Sequence, residues 1–161
     1  VSLRYGSGHW PGCKAQYLGR AEVFPVCSPT YLAGHPINSI DELLDQTLLY
    51  LDDARWDWID WPIWLAQHDQ HSQSLKHTLK INSYSLLIQA ALAGQGIALG
   101  WSYLLDHLLA DNSLVKPIEA VMTAPHSFYL TTPDHKPTPA AVEDFCEWVL
   151  REFVSVTTSD G

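Results

Sequence analysis

The chain has 161 residues, 47% of them hydrophobic and 17% charged, a globular composition that excludes general disorder. It holds no apolar run of about 18 residues, the least that a membrane helix needs. Nine Lys and Arg stand against 18 Asp and Glu, for a net charge of −9. The basic footprint that tight nucleic-acid binding requires is therefore missing from these residues.

In chain order, residues 1–5 alternate as a strand and meet the Gly-rich loop Gly6-Ser7-Gly8-His9-Trp10-Pro11-Gly12. That opening reads as a strand and not as a secretory segment, and with no initiator Met the chain reads as a piece of a longer protein. Residues 22–27 form a second apolar run, in which Pro25 argues for an edge strand or a crossover. Ser28-Pro29 opens a turn or short helix. Ser39-Ile40-Asp41-Glu42 matches a capping box, with Glu42 expected to reach back to the cap amide. Residues 47–51 read as a buried strand, Pro62 opens a helix over 62–67, and 68–77 reads as polar loop.

The clearest unit follows. Residues 78–81 alternate, 83–93 carry Leu86, Leu87, Ala90 and Ala91 at helical spacing, and Gly94 and Gly96 end that helix before the apolar run 97–101. A strand-helix-strand unit with parallel strands and a right-handed crossover is expected. Ser102 is expected to cap a helix through Leu109, and 128–131 to form a strand. Thr138-Pro139 should start a last helix whose core stripe is Val142, Phe145, Cys146, Val149 and Phe153. The three cysteines, Cys13, Cys27 and Cys146, lie far apart and read as reduced thiols, Cys13 being the most accessible.

Tests for chemistry mostly fail. No G-x-S-x-G exists, and neither glycine stretch makes a phosphate cradle at a helix start. His68, His71 and His77 with Asp69 suggest a metal site less than a solvated loop. Asp52, Asp53, Asp57 and Asp60 cluster among tryptophans, which suits acidic loop residues better than a catalytic pair. No metal, cofactor or catalytic residue is assigned. Ser83-Tyr84-Ser85 is more informative, because it starts a helix directly after a strand, where α/β sheets receive ligands. A plain cap at Ser83 explains the same pattern. The tryptophans fit core packing, or a cage for a cation with acidic neighbours.

Three runs carry a resemblance. Arg4-Tyr5-Gly6-Ser7-Gly8-His9-Trp10-Pro11-Gly12, then Phe24-Pro25-Val26-Cys27-Ser28-Pro29 with Tyr31-Leu32, then Ala90-Ala91 with Ala93-Gly94-Gln95-Gly96-Ile97-Ala98-Leu99-Gly100 resemble the effector-binding domain of LysR-type transcriptional regulators, in the branch that includes the glycine-cleavage activator. The resemblance implies an α/β fold of two Rossmann-like lobes, as in type 2 periplasmic binding proteins, with lobe one truncated at its N-terminus. Lobe one would be 1–22 and 131–154, lobe two 26–127, the crossover strands 22–26 and 127–131, and 155–161 a disordered tail.

It further implies a small-molecule effector bound between the lobes without catalysis; the helix start at Ser83 favours a carboxylate, and the tryptophans and negative charge an ammonium, so a carboxylate or a zwitterion is expected. The effector would meet Gly6, Ser7, Gly8, His9, Tyr50, Leu51, Ser83, Tyr84, Ser85, Gly100 and Trp101. Arg4 offers a positive charge for a carboxylate, although a strand-edge Arg is more often structural. DNA would be bound only through a winged helix-turn-helix domain preceding Val1. A homodimer or tetramer in the cytoplasm, away from membranes, completes the expectation. A solute-binding protein of a transport system is the alternative, and an enzyme on the same lobes a further one.

Overall fold

The computed structural model describes residues 1–52, 58–70 and 75–157, with side chains through Phe153. The fold is α/β, as expected. Its elements in chain order are β1 (Ser2–Gly6), β2 (Cys13–Val26), α1 (Pro29–Gly34), α2 (Ile40–Leu44), β3 (Leu48–Leu51), α3 (Trp61–Gln67), β4 (Thr78–Ile81), α4 (Tyr84–Leu92), β5 (Ala98–Trp101), α5 (Asp106–Ala110), β6 (Met122–Pro133) and α6 (Ala140–Thr157). One sheet has the order β1-β6-β2-β5, while β3 and β4 make a parallel pair. Two compact units result, Val1–Ala21 with Thr123–Gly161, and Glu22–Met122.

In the first unit β1 runs antiparallel to β6, from Ser2 opposite Thr131 to Gly6 opposite Ser127. Strand alternation puts Leu3 and Tyr5 on the face of Leu130 and Phe128, and Arg4 on the face of Tyr129. Gly8 has φ +86°, and a Cβ there would lie 2.8 Å from the Tyr129 ring, so only glycine lets the loop cross at that height. Trp10 and Tyr17 meet Tyr129 edge-on, at 5.6 and 5.7 Å between centroids. The expected stripe of α6 is one residue too wide. Cys146 is buried, with Val142, Val149 and Phe153 partly covered, but Phe145 stands 44% exposed beside the exposed Trp148. Positions 142, 146, 149 and 153 follow the helical repeat, and 145 lies at the edge of that stripe, about 70° from its centre. The helix itself continues to Thr157, into the segment expected as tail.

The second unit has the expected parallel strands on either side of α4, with a further strand between them. β3 takes parallel partners on both sides: β4 on one, and on the other a bridge from Leu48 to Ile97. Leu49 N–H donates to Ile97 O at 2.8 Å, and Ile97 N–H to Thr47 O at 2.9 Å. The strands flanking α4 are therefore not neighbours, because β3, from earlier in the chain, lies between them. Gly96 permits this closeness, since a Cβ there would sit 2.5 Å from Thr47 O. Pro25 lies in β2 opposite Leu99 of β5. The expected strand at 22–27 is only the end of a 14-residue strand, and that at 128–131 is the middle of the 12-residue β6. Residues 127–131, expected as the second crossover, pair with β1 inside the first unit, and the chain passes between units at Met122 and Thr123.

The core of the second unit gathers Phe24, Val26, Leu49, Leu87, Ile88 and Ala91 with Ala98, Leu105 and Leu114. Two fully buried tryptophans bind it to the main chain. Trp61 Nε1 donates to Leu49 O at 2.9 Å, and Trp64 Nε1 to Val23 O at 3.1 Å. Ser39 Oγ accepts from Glu42 N–H at 3.2 Å, the first half of the capping box. Glu42 Oε2 takes Asn38 N–H at 2.7 Å, one residue before the expected cap amide. Ser102 is not a helix cap. α5 starts at Asp106, and Ser102 Oγ accepts from Glu22 N–H at 2.8 Å while its own N–H donates to Glu22 O at 2.9 Å.

Candidate functional site

The second unit holds a partly open hollow of about 20 Å³, space for roughly one water molecule. Alternation along the strands decides which residues reach it. Leu49 and Leu51 of β3 line it, as do Leu99 and Trp101 of β5, two residues apart in each case. α4 adds Tyr84 and Leu87, and the start of α3 adds Ile59, Asp60 and Trp61. Trp58 lies flat on Tyr84 at 5.2 Å and edge-on to Trp101 at 4.9 Å.

Asp60 is the one carboxylate among the described residues of this wall, and its position follows from α3. It is the N-cap of that helix, and Oδ1 accepts from Ile63 N–H at 2.9 Å. Oδ2 accepts from the Tyr50 hydroxyl at 2.9 Å. Burial first, and then the bond and charge of Asp60 with the charge of Asp52, push the Tyr50 phenol up to about 12. Lys80 Nζ stands 5.6 Å from the Tyr50 ring centroid. Burial raises the Tyr84 phenol further still. Its hydroxyl lies near the Trp101 main chain, yet no partner meets hydrogen-bond geometry among the described residues.

Of the expected effector residues, Leu51, Tyr84 and Trp101 come together in this wall, and Tyr50 joins through Asp60. Ser83 and Ser85 do not line it. Ser83 occupies the N-cap of α4, but its hydroxyl makes no capping bond, and Ser85 is exposed. Gly100 points to the opposite face, where a Cβ would meet Leu105 Cδ1 at 2.7 Å and Val26 Cγ1 at 3.0 Å. Its smallness serves packing. Gly6, Ser7, Gly8 and His9 form the turn after β1 in the first unit, with Ser7 and His9 exposed. Arg4 lies over the Trp10 ring at 5.6 Å, a cation–π contact that gives it a structural role.

Sequence reasoning placed Asp60 in an acidic cluster and missed its place in the wall. Its signal was the position two residues before Pro62, where a helix cap belongs. Asp53, Asp57 and His71 lie outside the described residues. His68 and His77 are described, and no cluster of three or more His, Cys, Asp or Glu suited to a metal occurs among the described residues. Cys27 and Cys146 are buried and Cys13 is half-buried; burial raises the Cys27 thiol to about 11.

Comparison with known proteins bears on all of this. Residues 1–154 match the model of the LysR substrate binding domain. The chain is 28% identical over 151 residues to the glycine cleavage system transcriptional activator of Escherichia coli K12, covering 93% of this chain and 48% of that protein. It is 30% identical over 155 residues to the transcriptional activator AmpR of Enterobacter cloacae, covering 94% and 50%. The chain thus spans about half the length of the curated relatives it matches. The effector domain of AmpR from Pseudomonas aeruginosa superposes with a TM-score of 0.76 at 25% identity, over 98% of this chain and 74% of that one. The AmpR effector-binding domain of Citrobacter freundii gives 0.75 at 28%, over 95% and 74%. The chain belongs to the LysR substrate-binding domain family.

Proposed function

We propose that this chain is the ligand-sensing part of a DNA-binding transcriptional regulator, and that its effector pocket includes the hollow of the second unit. The family match over 1–154 carries the reading. The relatives are named as transcriptional activators, which favours a regulator over a solute-binding protein of transport. Leu51, Tyr84 and Trp101, assigned to the effector from sequence, share one wall with Asp60, and this supports the pocket.

The effector binds without being turned over. It shifts a pre-existing equilibrium only as far as its affinities for the two states differ. DNA is contacted by a winged helix-turn-helix domain outside these residues, in keeping with the charge of −9. The regulator acts in the cytoplasm as a homodimer or tetramer. No described helix is long and apolar enough to cross a membrane.

A thermal-shift screen of small carboxylates and zwitterions tests this. One compound should stabilise the chain by about 2.7 kcal/mol at 100 times its Kd, be recovered unchanged by mass spectrometry, and lose its effect in Trp101→Ala. Conversion of the bound compound, or a response untouched by Trp101→Ala, would refute the assignment.

A further inference from the structure

Three properties of the hollow select one kind of guest, given the effector reading above. The first is size: the inner space of about 20 Å³ suits a water-sized group. An –NH3⁺ head is of that size, and a trimethylammonium head is not. The second is charge. Asp60 is the one charged side chain among the described lining residues, and the cation described beside them, Lys80, sits over the Tyr50 ring at 5.6 Å and outside that lining. Each of its oxygens accepts one bond, from Tyr50 and from the Ile63 amide, while a carboxylate has about four acceptor sites. Two therefore remain. The third is the Tyr84 hydroxyl, which is buried, lines the hollow and lacks a well-formed hydrogen bond. A buried polar group in that state costs stability unless a guest completes it.

We propose that the hollow receives the primary ammonium group of the effector, with Asp60 as counter-charge and the Tyr84 oxygen as a second acceptor. The Trp61 and Trp101 indoles supply walls that tolerate a cation, since aromatic faces attract positive charge. Tyr50 is a positioning residue: its hydroxyl holds the Asp60 carboxylate while the helix amide holds the other oxygen. A buried water is the competing occupant.

The test is titration of the ¹⁵N-labelled chain with methylammonium, tetramethylammonium and acetate, read at the tryptophan indole N–H signals. Methylammonium should move the Trp101 signal saturably, and the other two probes should leave it in place. Asp60→Asn keeps the α3 cap, because Asn caps as well as Asp, and should weaken methylammonium about tenfold or more, as loss of a charge-assisted bond does. Tyr84→Phe should weaken it several-fold while leaving the melting temperature equal or higher.

A Trp101 signal indifferent to methylammonium, equal response to tetramethylammonium, or equal affinity in Asp60→Asn would overturn the proposal. The sensor reading is judged separately. An effector found by the metabolite screen and lost in Trp101→Ala, with methylammonium silent, ends only the ammonium assignment. Silence in both experiments ends both.

Discussion

The two units differ in how much aromatic surface they leave in water. In the second unit Trp61, Trp64 and Trp101 are all but fully buried, and the first two give their indole N–H groups to main-chain carbonyls. Among the described residues, its large exposed apolar side chains are aliphatic: Ile63, Leu79, Leu86 and Val121. In the first unit Tyr17, Phe145 and Trp148 stand half in water, together with Val1 and Leu3. The first unit thus leaves aromatic surface in water beside an interior that includes Leu18, Phe128, Leu130 and Cys146. The buried Trp61 and Trp64 indoles each have the main-chain acceptor that a buried indole N–H calls for.

Substitutions should expose that contrast, and the largest effect belongs to Trp64. Trp64→Ala removes a fully buried ring and leaves Val23 O without its donor, so it should cost about 3–5 kcal/mol in urea unfolding. Gly96→Ala sets a methyl against Thr47 O at 2.5 Å and should cost about 1–3 kcal/mol by the same measurement. Ser39→Ala loses the bond to Glu42 N–H, for about 1 kcal/mol.

pH should act on the second unit through His68. Its ring lies 4.3 Å from that of Trp64, and its Nε2 is buried without a hydrogen bond among the described residues. Burial lowers its pKa from 6.5, against an opposing pull from Asp69. The unfolded chain then binds the proton more tightly, so this contribution is present above about pH 6.5 and fades as pH falls through the lowered value. Melting temperatures measured from pH 7.5 to 5.5 should decline less in His68→Gln. The smallest effect should come from the first unit: Trp148→Ala, at a 52% exposed position, should change stability by less than about 0.5 kcal/mol. A loss as large as that of Trp64→Ala would mean that Trp148 is covered in solution, and would erase the contrast.

Local signals in the sequence carried far. The helix of α4 and the strands on either side of it were legible because periodicity and glycine stops depend on nearby residues alone. Pairing was not. β3 enters between those strands from thirty residues upstream, and only the tertiary fold dictates that insertion. β2 was half visible, because residues 13–19 carry Lys14, Gln16 and Tyr17 on an exposed stretch, where the apolar signal is weak. At the candidate site, Leu51, Tyr84 and Trp101 were named through the family resemblance, and Tyr84 also through its place at a helix start. Asp60 escaped because its neighbours in the wall come from β3, α4 and β5, each distant in sequence.

The double bond between Ser102 and Glu22 has a practical corollary. The Glu22 side chain faces solvent, yet its amide proton is held by an alcohol and its carbonyl by a neighbouring strand's end. Deuterium should replace that proton slowly despite its wet surroundings. One easily observed amide thereby becomes a gauge of whether the border of the second unit stays zipped, and Ser102→Ala would reset its clock.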